Sequence, residues 1–175
     1  MARVTFITGG ARSGKSAYAL AIAAAAAPPP PRYFVATAEA LDDEMRDRIA
    51  HHRAHRSNDY VTVEAPRAVA QALADLDRRG AGVAVIDCLT LWISNLLGAG
   101  LDDAAIMRAA DELGAAIVAA KLKVVVVSGE VGAGIVPENP LARRFRDLLG
   151  WTNQKIARAA DEAFLMAAGY PIRLK

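Results

Sequence analysis

The sequence predicts an α/β protein in which a mainly parallel β-sheet has helices on both faces and an antiparallel strand pair at its C-terminal edge. Short apolar runs rich in valine alternate with longer helical runs along the whole chain. Successive parallel strands need such helical crossovers, so the alternation predicts the class. At 175 residues the chain is long enough for a full core, and we expect one domain over residues 1–175.

The strands are predicted from runs of branched and aromatic residues, which favour extended backbone. Val124–Val127 is the most strand-like run and is expected at the centre of the sheet. The last two runs flank a turn at Gly169 and are expected to pair antiparallel. In chain order the predicted strands are Val4–Thr8, Tyr33–Ala36, Tyr60–Glu64, Val83–Ile86, Val124–Val127, Ala163–Ala167 and Pro171–Leu174.

The helices are predicted from alanine-rich and amphipathic runs with recognisable ends. The proline run at 28–31 ends the first helix, because proline cannot continue it. Pro66 and Pro140 are expected at the first position of their helices, the latter with Asn139 as its cap. The predicted helices are Lys15–Ala27, Asp42 to about Arg56, Pro66–Arg79, Leu89–Leu97, Asp102–Ala120 and a long helix from Pro140.

Composition excludes several classes of protein. A net charge of +2 is too small to indicate nucleic-acid binding. The single cysteine, Cys88, rules out an internal disulfide and fits a reducing compartment. The longest apolar run, near Ala19–Ala27, is too short to span a bilayer, and the first strand leaves no room for a signal peptide. We therefore expect a cytoplasmic protein without a membrane span.

The most informative motif follows the first strand directly. Its sequence Gly-Gly-Ala-Arg-Ser-Gly-Lys-Ser matches G-x-x-x-x-G-K-[ST], the phosphate-binding loop between a strand and a helix. Glycines let backbone N–H groups surround a polyphosphate, the lysine supplies charge to the β- and γ-phosphates, and the serine hydroxyl can bind Mg²⁺. The motif predicts a P-loop NTPase-type (RecA-like) sheet. The predicted nucleotide contacts are Gly9, Gly10, Ala11, Arg12, Ser13, Gly14, Lys15 and Ser16.

Polar residues also follow several predicted strands, where open α/β sheets bind their ligands. Thr37, Glu64, Asp87 and Glu130 are expected at the same edge of the sheet as the phosphate loop. Asp87 ends an apolar strand downstream of that loop, so it is the predicted second ligand for Mg²⁺. The neighbouring Cys88 is expected to be buried and inert.

The helix after the second strand contains all three histidines. On a helical wheel His52 projects into an apolar stripe formed by Leu41, Met45 and Ile49. His51 and His55 share a polar arc with Glu44 and Arg48. On pattern alone this arc is equally compatible with a functional face and a solvated one. Zinc binding by His51 and His55 is not favoured, because the glutamate of H-E-x-x-H is missing between them.

Several stretches together resemble the bifunctional adenosylcobinamide kinase/adenosylcobinamide-phosphate guanylyltransferase family of cobalamin biosynthesis. They span nearly the whole chain in matching order. Besides the phosphate loop they are Ala36–Ala38, Asp42–Met45, Arg48–Ile49, His51–His52, Glu130–Asn139, Arg143, Phe145–Asp147, Gly150 and Asn153–Gln154.

The resemblance implies two reactions. A nucleoside triphosphate, ATP or GTP, phosphorylates the aminopropanol arm of adenosylcobinamide, and GMP then moves from GTP onto that phosphate through a GMP–histidine intermediate. The matching histidine is His51, and Lys15 is the second expected catalytic residue. Mg²⁺ is the expected cofactor. The expected assembly is a homo-oligomer. The implied guanine nucleotide contacts outside the phosphate loop are Ala36, Thr37, Ala38, His52, Arg53, Ala54, His55, Glu64 and Asp87.

One position departs from the family pattern, which has asparagine before Glu-Val-Gly where this chain has Gly129. Arginines 143, 144 and 146 lie in the first turns of their helix and are compatible with either anion binding or a solvated face. Two other functions stay open on the sequence: a P-loop small-molecule kinase without nucleotidyl transfer, and a nucleotide-dependent switch or assembly ATPase with no small acceptor.

Overall fold

A computed structural model describes residues 3–26, 32–40, 42–43, 45–47, 50 and 59–175. Its strands form a seven-stranded sheet in the order β3-β2-β4-β5-β1-β6-β7. All neighbours are parallel except β6 and β7, which are antiparallel. The strands are β1 Val4–Gly9, β2 Arg32–Ala36, β3 Tyr60–Glu64, β4 Val83–Asp87, β5 Lys123–Val127, β6 Glu162–Ala167 and β7 Tyr170–Arg173.

Helices lie on both faces of this sheet, as predicted. Alternate side chains of β5 show the division: Val125 and Val127 pack towards α1, and Val124 and Val126 pack towards the helices of the opposite face. The expected α/β class with an antiparallel C-terminal edge is therefore confirmed. The helices are α1 Lys15–Ala24, α2 Val69–Arg78, α3 Leu89–Gly98, α4 Asp103–Ala119 and α5 Pro140–Ala159.

The predicted cap Asn139 is present, and Asp42 caps a second helix start. The Asn139 side chain accepts hydrogen bonds from the N–H groups of Leu141 and Ala142 at the start of α5. Asp42 Oδ1 accepts from the N–H of Met45 at 2.7 Å, and the described residues at 43, 45–47 and 50 are helical. These contacts satisfy N–H groups that have no partner within the helix itself.

The prediction that Pro66 opens a helix is wrong. Helix α2 begins at Val69, and Pro66 and Arg67 precede it in a loop. Their carbonyl oxygens accept hydrogen bonds from the side chains of Asn95 and Trp92 in α3. These contacts to a distant helix hold the loop in its non-helical conformation.

None of the described helices is long and apolar enough to cross a membrane.

Asp161, the residue before β6, bonds to the start of β1, and its charge makes stability depend on pH. Its Oδ2 accepts hydrogen bonds from the N–H groups of Val4 at 2.8 Å and Arg3 at 2.9 Å. These bonds hold the pKa of the Asp161 carboxyl below its ordinary value. Because the folded-state pKa is depressed, the stabilisation is complete above the unfolded-state pKa of about 3.9 and is lost as pH falls through the folded-state pKa.

We therefore expect Asp161→Ala to lower the free energy of unfolding at pH 7 by about 1 kcal/mol, a modest value because the carboxylate is exposed. The difference from the wild type should shrink below about pH 4. Urea unfolding at pH 7 and pH 3 measures it. Glu112→Ala, an exposed carboxylate on α4, should change stability little at either pH. A difference that is equal at both pH values would contradict this role of the charge.

Candidate active site

The phosphate loop joins β1 to α1 and needs glycine at two positions. Gly9 has φ 149° and Gly14 has φ 94°, which are conformations that other residues rarely adopt. A Cβ atom on Gly9 would lie 2.6 Å from the carbonyl oxygen of Met166, and one on Gly14 would lie 3.2 Å from Gly169 Cα. The loop therefore follows a path that only this spacing of glycines permits.

Neighbouring segments hold the phosphate loop from two sides. The N–H of Glu130, just after β5, donates to Gly9 O at 2.9 Å, and the N–H of Gly169, in the β6–β7 turn, donates to Ser13 O at 3.1 Å. Strands β5 and β6 are the two neighbours of β1 in the sheet. The loop is thus held by backbone bonds from both flanking strands, as a preorganised anion site requires.

Lys15 lies over the phosphate loop. Its Nζ donates to Gly10 O at 2.5 Å and to Ser13 Oγ at 3.4 Å. Burial lowers the pKa of Lys15, while Cys88 and Asp87 act on it in the opposite direction. Asp87, the last residue of β4, therefore interacts electrostatically with the Lys15 ammonium group. The end of β4 and the phosphate loop after β1 thus belong to one site.

The ends of four strands are aligned at the carboxyl edge of the sheet, where the parallel strands finish. Ala36 of β2 lies opposite both Glu64 of β3 and Asp87 of β4. Asp87 lies opposite Val127 of β5, and Val127 lies opposite Ile7 of β1 on its other side. The structure therefore brings the predicted residues Ala36, Glu64 and Asp87, which end β2, β3 and β4, to the same edge as the phosphate loop.

Thr37 links the ends of β2 and β4. Its buried hydroxyl donates to the carbonyl oxygen of Cys88 at 2.8 Å and accepts from the N–H of Cys88 at 2.8 Å. The N–H of Thr37 also donates to Asp87 O at 3.3 Å. These bonds determine where the backbone of Asp87 lies.

Cys88 takes no part in the chemistry that this arrangement suggests. Burial, together with the charge of Asp87, raises the pKa of the Cys88 thiol to about 11. The thiol is therefore protonated near neutral pH and is a poor nucleophile.

Helix α3 supports three loops of the site, and sequence analysis did not identify the side chains involved. Asn95 Nδ2 donates to Thr37 O at 2.7 Å and Pro66 O at 2.9 Å. Trp92 Nε1 donates to Arg67 O at 2.8 Å, and Thr90 Oγ1 accepts from the N–H of Gly129 at 2.7 Å. The available signal was the presence of polar groups in an apolar helix, because buried polar groups need partners.

Gly129 occupies a position with little space beside it. A Cβ atom there would lie 2.8 Å from Thr90 Oγ1, so a larger residue would require Thr90 to move. Asn153 of α5 donates from Nδ2 to Gly129 O at 3.0 Å, and its Oδ1 accepts from Ser128 Oγ at 2.6 Å. In this chain the start of the loop after β5 is therefore held by an amide that comes from α5.

The three arginines at the start of α5 donate to oxygen atoms of the protein. Arg143 donates to the carbonyl oxygens of residues 137 and 138, and Arg146 donates to that of Gly132. Arg144 pairs with Asp103 and also donates to Leu101 O. Their positions are therefore explained by support of the preceding loop and of the start of α4.

The predicted histidine site lies outside the described residues. This applies to the candidate nucleophile His51, to the predicted contacts His52, Arg53, Ala54 and His55, and to the wheel positions Leu41, Glu44, Arg48 and Ile49.

The side chains near the phosphate loop fit a magnesium ion by their chemistry. Ser16 is the second residue of α1 and Asp87 is the last residue of β4, and hydroxyl and carboxylate oxygens are ligands that Mg²⁺ prefers. The described residues contain no group of three or more His, Cys, Asp or Glu side chains placed to hold a metal.

A parallel sheet with this loop between β1 and α1 defines a P-loop nucleotide-binding protein. The chain is similar to the crystal structure of a KaiC-like protein from Pyrococcus horikoshii OT3, with a TM-score of 0.51, 15% identity, and coverage of 93% of this chain and 70% of that one. At this identity the similarity supports the fold alone.

The family follows from sequence. Residues 5–174 match the CobU family, described as cobinamide kinase / cobinamide phosphate guanyltransferase. The chain is 41% identical to the bifunctional adenosylcobalamin biosynthesis protein CobU of Salmonella typhimurium, over 97% of this chain and 98% of that protein. It is 38% identical to the corresponding protein CobP of Pseudomonas aeruginosa, over 97% and 95%. This chain belongs to the CobU family.

The position of Lys15 predicts a large effect on activity. We expect Lys15→Ala to leave a folded protein whose nucleotide-dependent turnover falls by about 10²-fold or more, because positive charge at the phosphates stabilises the transition state. Initial rates with saturating nucleotide measure it. Lys155→Ala, which removes a half-buried lysine of α5 paired with Asp111, is the matched control and should keep its rate. Turnover of the Lys15 variant within a few-fold of wild type would exclude the lysine from the mechanism.

The hydrogen bonds of Thr37 predict a coupled effect on stability and metal use. Thr37→Val leaves the part-buried N–H of Cys88 without that partner, while the Cys88 carbonyl keeps the N–H of Trp92, so the free energy of unfolding should fall by about 1–3 kcal/mol. The Mg²⁺ concentration for half-maximal activity should rise, as with Asp87→Asn, because Asp87 loses its support. Denaturant unfolding and Mg²⁺ titration of activity measure the two effects.

Thr5→Val is the matched control for this prediction. The Thr5 hydroxyl is buried in β1 and has no hydrogen-bond partner within the described part of the chain. Its removal should leave stability unchanged or slightly higher. Equal destabilisation by the two substitutions, or an unchanged Mg²⁺ titration for Thr37→Val, would contradict the role assigned to Thr37.

Proposed function

We propose that this protein phosphorylates adenosylcobinamide with ATP or GTP and then transfers GMP from GTP to adenosylcobinamide phosphate, giving adenosylcobinamide-GDP and pyrophosphate. The observation that supports this most directly is the family match over residues 5–174 in a chain whose phosphate loop has the required geometry. The relatives named above are described as bifunctional, and they match this chain over nearly its whole length.

In the kinase step the chain positions the nucleotide and neutralises charge. The N–H groups of the phosphate loop and the Lys15 ammonium bind the β- and γ-phosphates. The hydroxyl oxygen of the acceptor then forms a bond to the γ-phosphorus and gives its proton to water, as the bond from phosphorus to the β–γ bridging oxygen breaks. Ser16 and Asp87 would hold Mg²⁺, which supplies positive charge to the phosphates when bound.

In the transfer step we assign the nucleophile to His51. Its imidazole nitrogen attacks the α-phosphorus of GTP, and pyrophosphate leaves with the bridging oxygen. A phosphate oxygen of the corrinoid then attacks the same phosphorus, breaks the P–N bond and regenerates the histidine. Two sequence observations support His51 over His52: its position on the polar arc of the predicted helix and its place in the family pattern.

We assign contacts with the guanine nucleotide to residues at the carboxyl edge of the sheet and on the histidine helix. The register of the strands supports the first group, because Glu64, Ala36 and Asp87 lie side by side there. Thr37 would contribute mainly by holding this edge, since its hydroxyl is bonded to Cys88. The full set is Ala36, Thr37, Ala38, His52, Arg53, Ala54, His55, Glu64 and Asp87.

We further propose that the protein acts in the cytoplasm as a homo-oligomer. The compartment is supported by its substrates, nucleoside triphosphates, and by a single cysteine that needs no oxidising environment. The oligomer rests on resemblance to the family. Light scattering of the purified protein tests the assembly.

The covalent step distinguishes the proposed function from a plain kinase. We expect His51→Ala to abolish guanylyl transfer while it keeps much of the kinase rate, because phosphoryl transfer depends on the phosphate loop rather than on a nucleophilic side chain. Incubation with α-labelled GTP, followed by peptide mapping, should give an acid-labile adduct on His51 in the wild type and none in the variant.

His52→Ala is the comparison variant: it keeps His51 and should still form the labelled adduct at saturating GTP, although a lost nucleotide contact would raise the GTP concentration that this requires. If His52 packs in the apolar stripe, its loss should lower the free energy of unfolding by about 1–3 kcal/mol. An adduct on His52 or His55 would overturn the assignment of His51. A wild type that phosphorylates corrinoid but forms no adduct would be a plain kinase, and nucleotide-dependent partner binding without corrinoid turnover would indicate a switch.

A further inference from the structure

The loop after β5 combines an ordered backbone with exposed apolar side chains. Ile135 is 97% exposed, Val136 62% and Val131 40%, and Leu141 follows at 60% in the first turn of α5. Single exposed apolar residues are ordinary on protein surfaces. Three within a six-residue stretch, directly beside a phosphate-binding loop, need an explanation. We refer to Val131, Ile135, Val136 and Leu141 as the apolar loop surface.

Hydrogen bonds hold this loop at both ends. At its start, the N–H of Gly132 donates to Glu130 Oε1 at 2.6 Å, and Arg146 donates to Gly132 O at 2.6 Å. At its end, Arg143 donates to Pro137 O at 2.9 Å. A surface held in this way has already lost much of the conformational freedom that binding would otherwise remove.

The sheet order determines what lies beside the apolar loop surface. Strand β5 lies between β1, which leads into the phosphate loop, and β4, which ends at Asp87. The loop after β5 therefore leaves the sheet between these two parts of the site, and Glu130 bonds directly to Gly9 O. An acceptor whose hydroxyl reaches a γ-phosphate held by Lys15 therefore has this loop among the surfaces that the rest of its bulk can contact.

We propose that the apolar loop surface binds the corrin macrocycle of the acceptor, an inference that rests on the proposed function. The macrocycle is a large ring whose edge carries methyl groups between amide side chains, and its reactive hydroxyl lies on a flexible arm. Apolar contact with the ring would position the arm towards the phosphate loop. Burial of exposed isoleucine and valine side chains against the ring supplies affinity for the acceptor and none for the nucleotide.

The double variant Ile135→Ser/Val136→Ser tests this proposal. We expect the KM for adenosylcobinamide in the kinase reaction to rise about tenfold or more, since two partly buried aliphatic side chains are worth at least one factor of ten in affinity. The KM for GTP and the yield of the GTP-derived protein adduct, which forms without corrinoid, should stay within twofold of wild type. Circular dichroism confirms that the variant is folded.

Two further variants serve as controls. Val118→Ser changes a valine of α4 whose exposure, 52%, is similar to that of Val136. Its carbonyl oxygen accepts from Arg3, which precedes β1, so it lies at the other edge of the sheet from the phosphate loop. It should leave both KM values unchanged. Ile135→Met/Val136→Leu keeps the apolar area and should retain a corrinoid KM within about twofold of wild type.

Each remaining outcome overturns a defined statement. An unchanged corrinoid KM in the serine variant, with normal wild-type turnover, removes this inference and leaves the proposed function intact. A change in mass by light scattering, together with a changed KM for GTP, identifies the apolar loop surface as a contact between copies of the chain instead. No corrinoid phosphorylation by the wild type removes the proposed function and this inference together.

Discussion

The carboxyl edge of the sheet depends on the pair of hydrogen bonds between the Thr37 hydroxyl and the backbone of Cys88. Parallel strands end in polar backbone groups that have no further strand partner, and buried groups of this kind are costly when they are unpaired. One hydroxyl satisfies both the N–H and the carbonyl of Cys88. The Cys88 carbonyl also accepts from the N–H of Trp92 in α3 at 3.2 Å, so both backbone groups of Cys88 have partners next to the Asp87 carboxylate, which acts electrostatically on Lys15.

Helix α3 extends this constraint to the rest of the site. Through Asn95, Trp92 and Thr90 it bonds to the loops after β2, β3 and β5, while its apolar side chains are buried in the core. A displacement of α3 would therefore move three loops together. The edge behaves as one rigid support, and rigidity is what electrostatic stabilisation of phosphoryl transfer requires, because the donors must already point at the developing charge.

The parts of the molecule that could be predicted are those whose cause is local in sequence. The phosphate loop is one such case, since its glycines, its lysine and the first residues of the following helix all lie within eight residues. The Asn139 cap is another. Pro66 shows the opposite case: its signal for a helix start is local, but bonds from side chains 25 to 29 positions away hold it in a loop. The roles of Asn95 and Thr90 were hidden for the same reason, because they depend on which strands become neighbours. His51 lies outside the described residues, so its assignment comes from the sequence pattern.

Gly129 departs from the family pattern at a position where Thr90 leaves little space for a side chain. An asparagine at this position would bring a Cβ atom to 2.8 Å from Thr90 Oγ1, and Thr90 uses that atom to accept the N–H of Gly129. The glycine therefore permits a direct bond between α3 and the loop after β5. Asn153, which this chain shares with the family pattern, bonds from α5 to Gly129 O and Ser128 Oγ. Residue identity has changed at this point, but the loop still leaves β5 held from both sides, between the phosphate loop and Asp87.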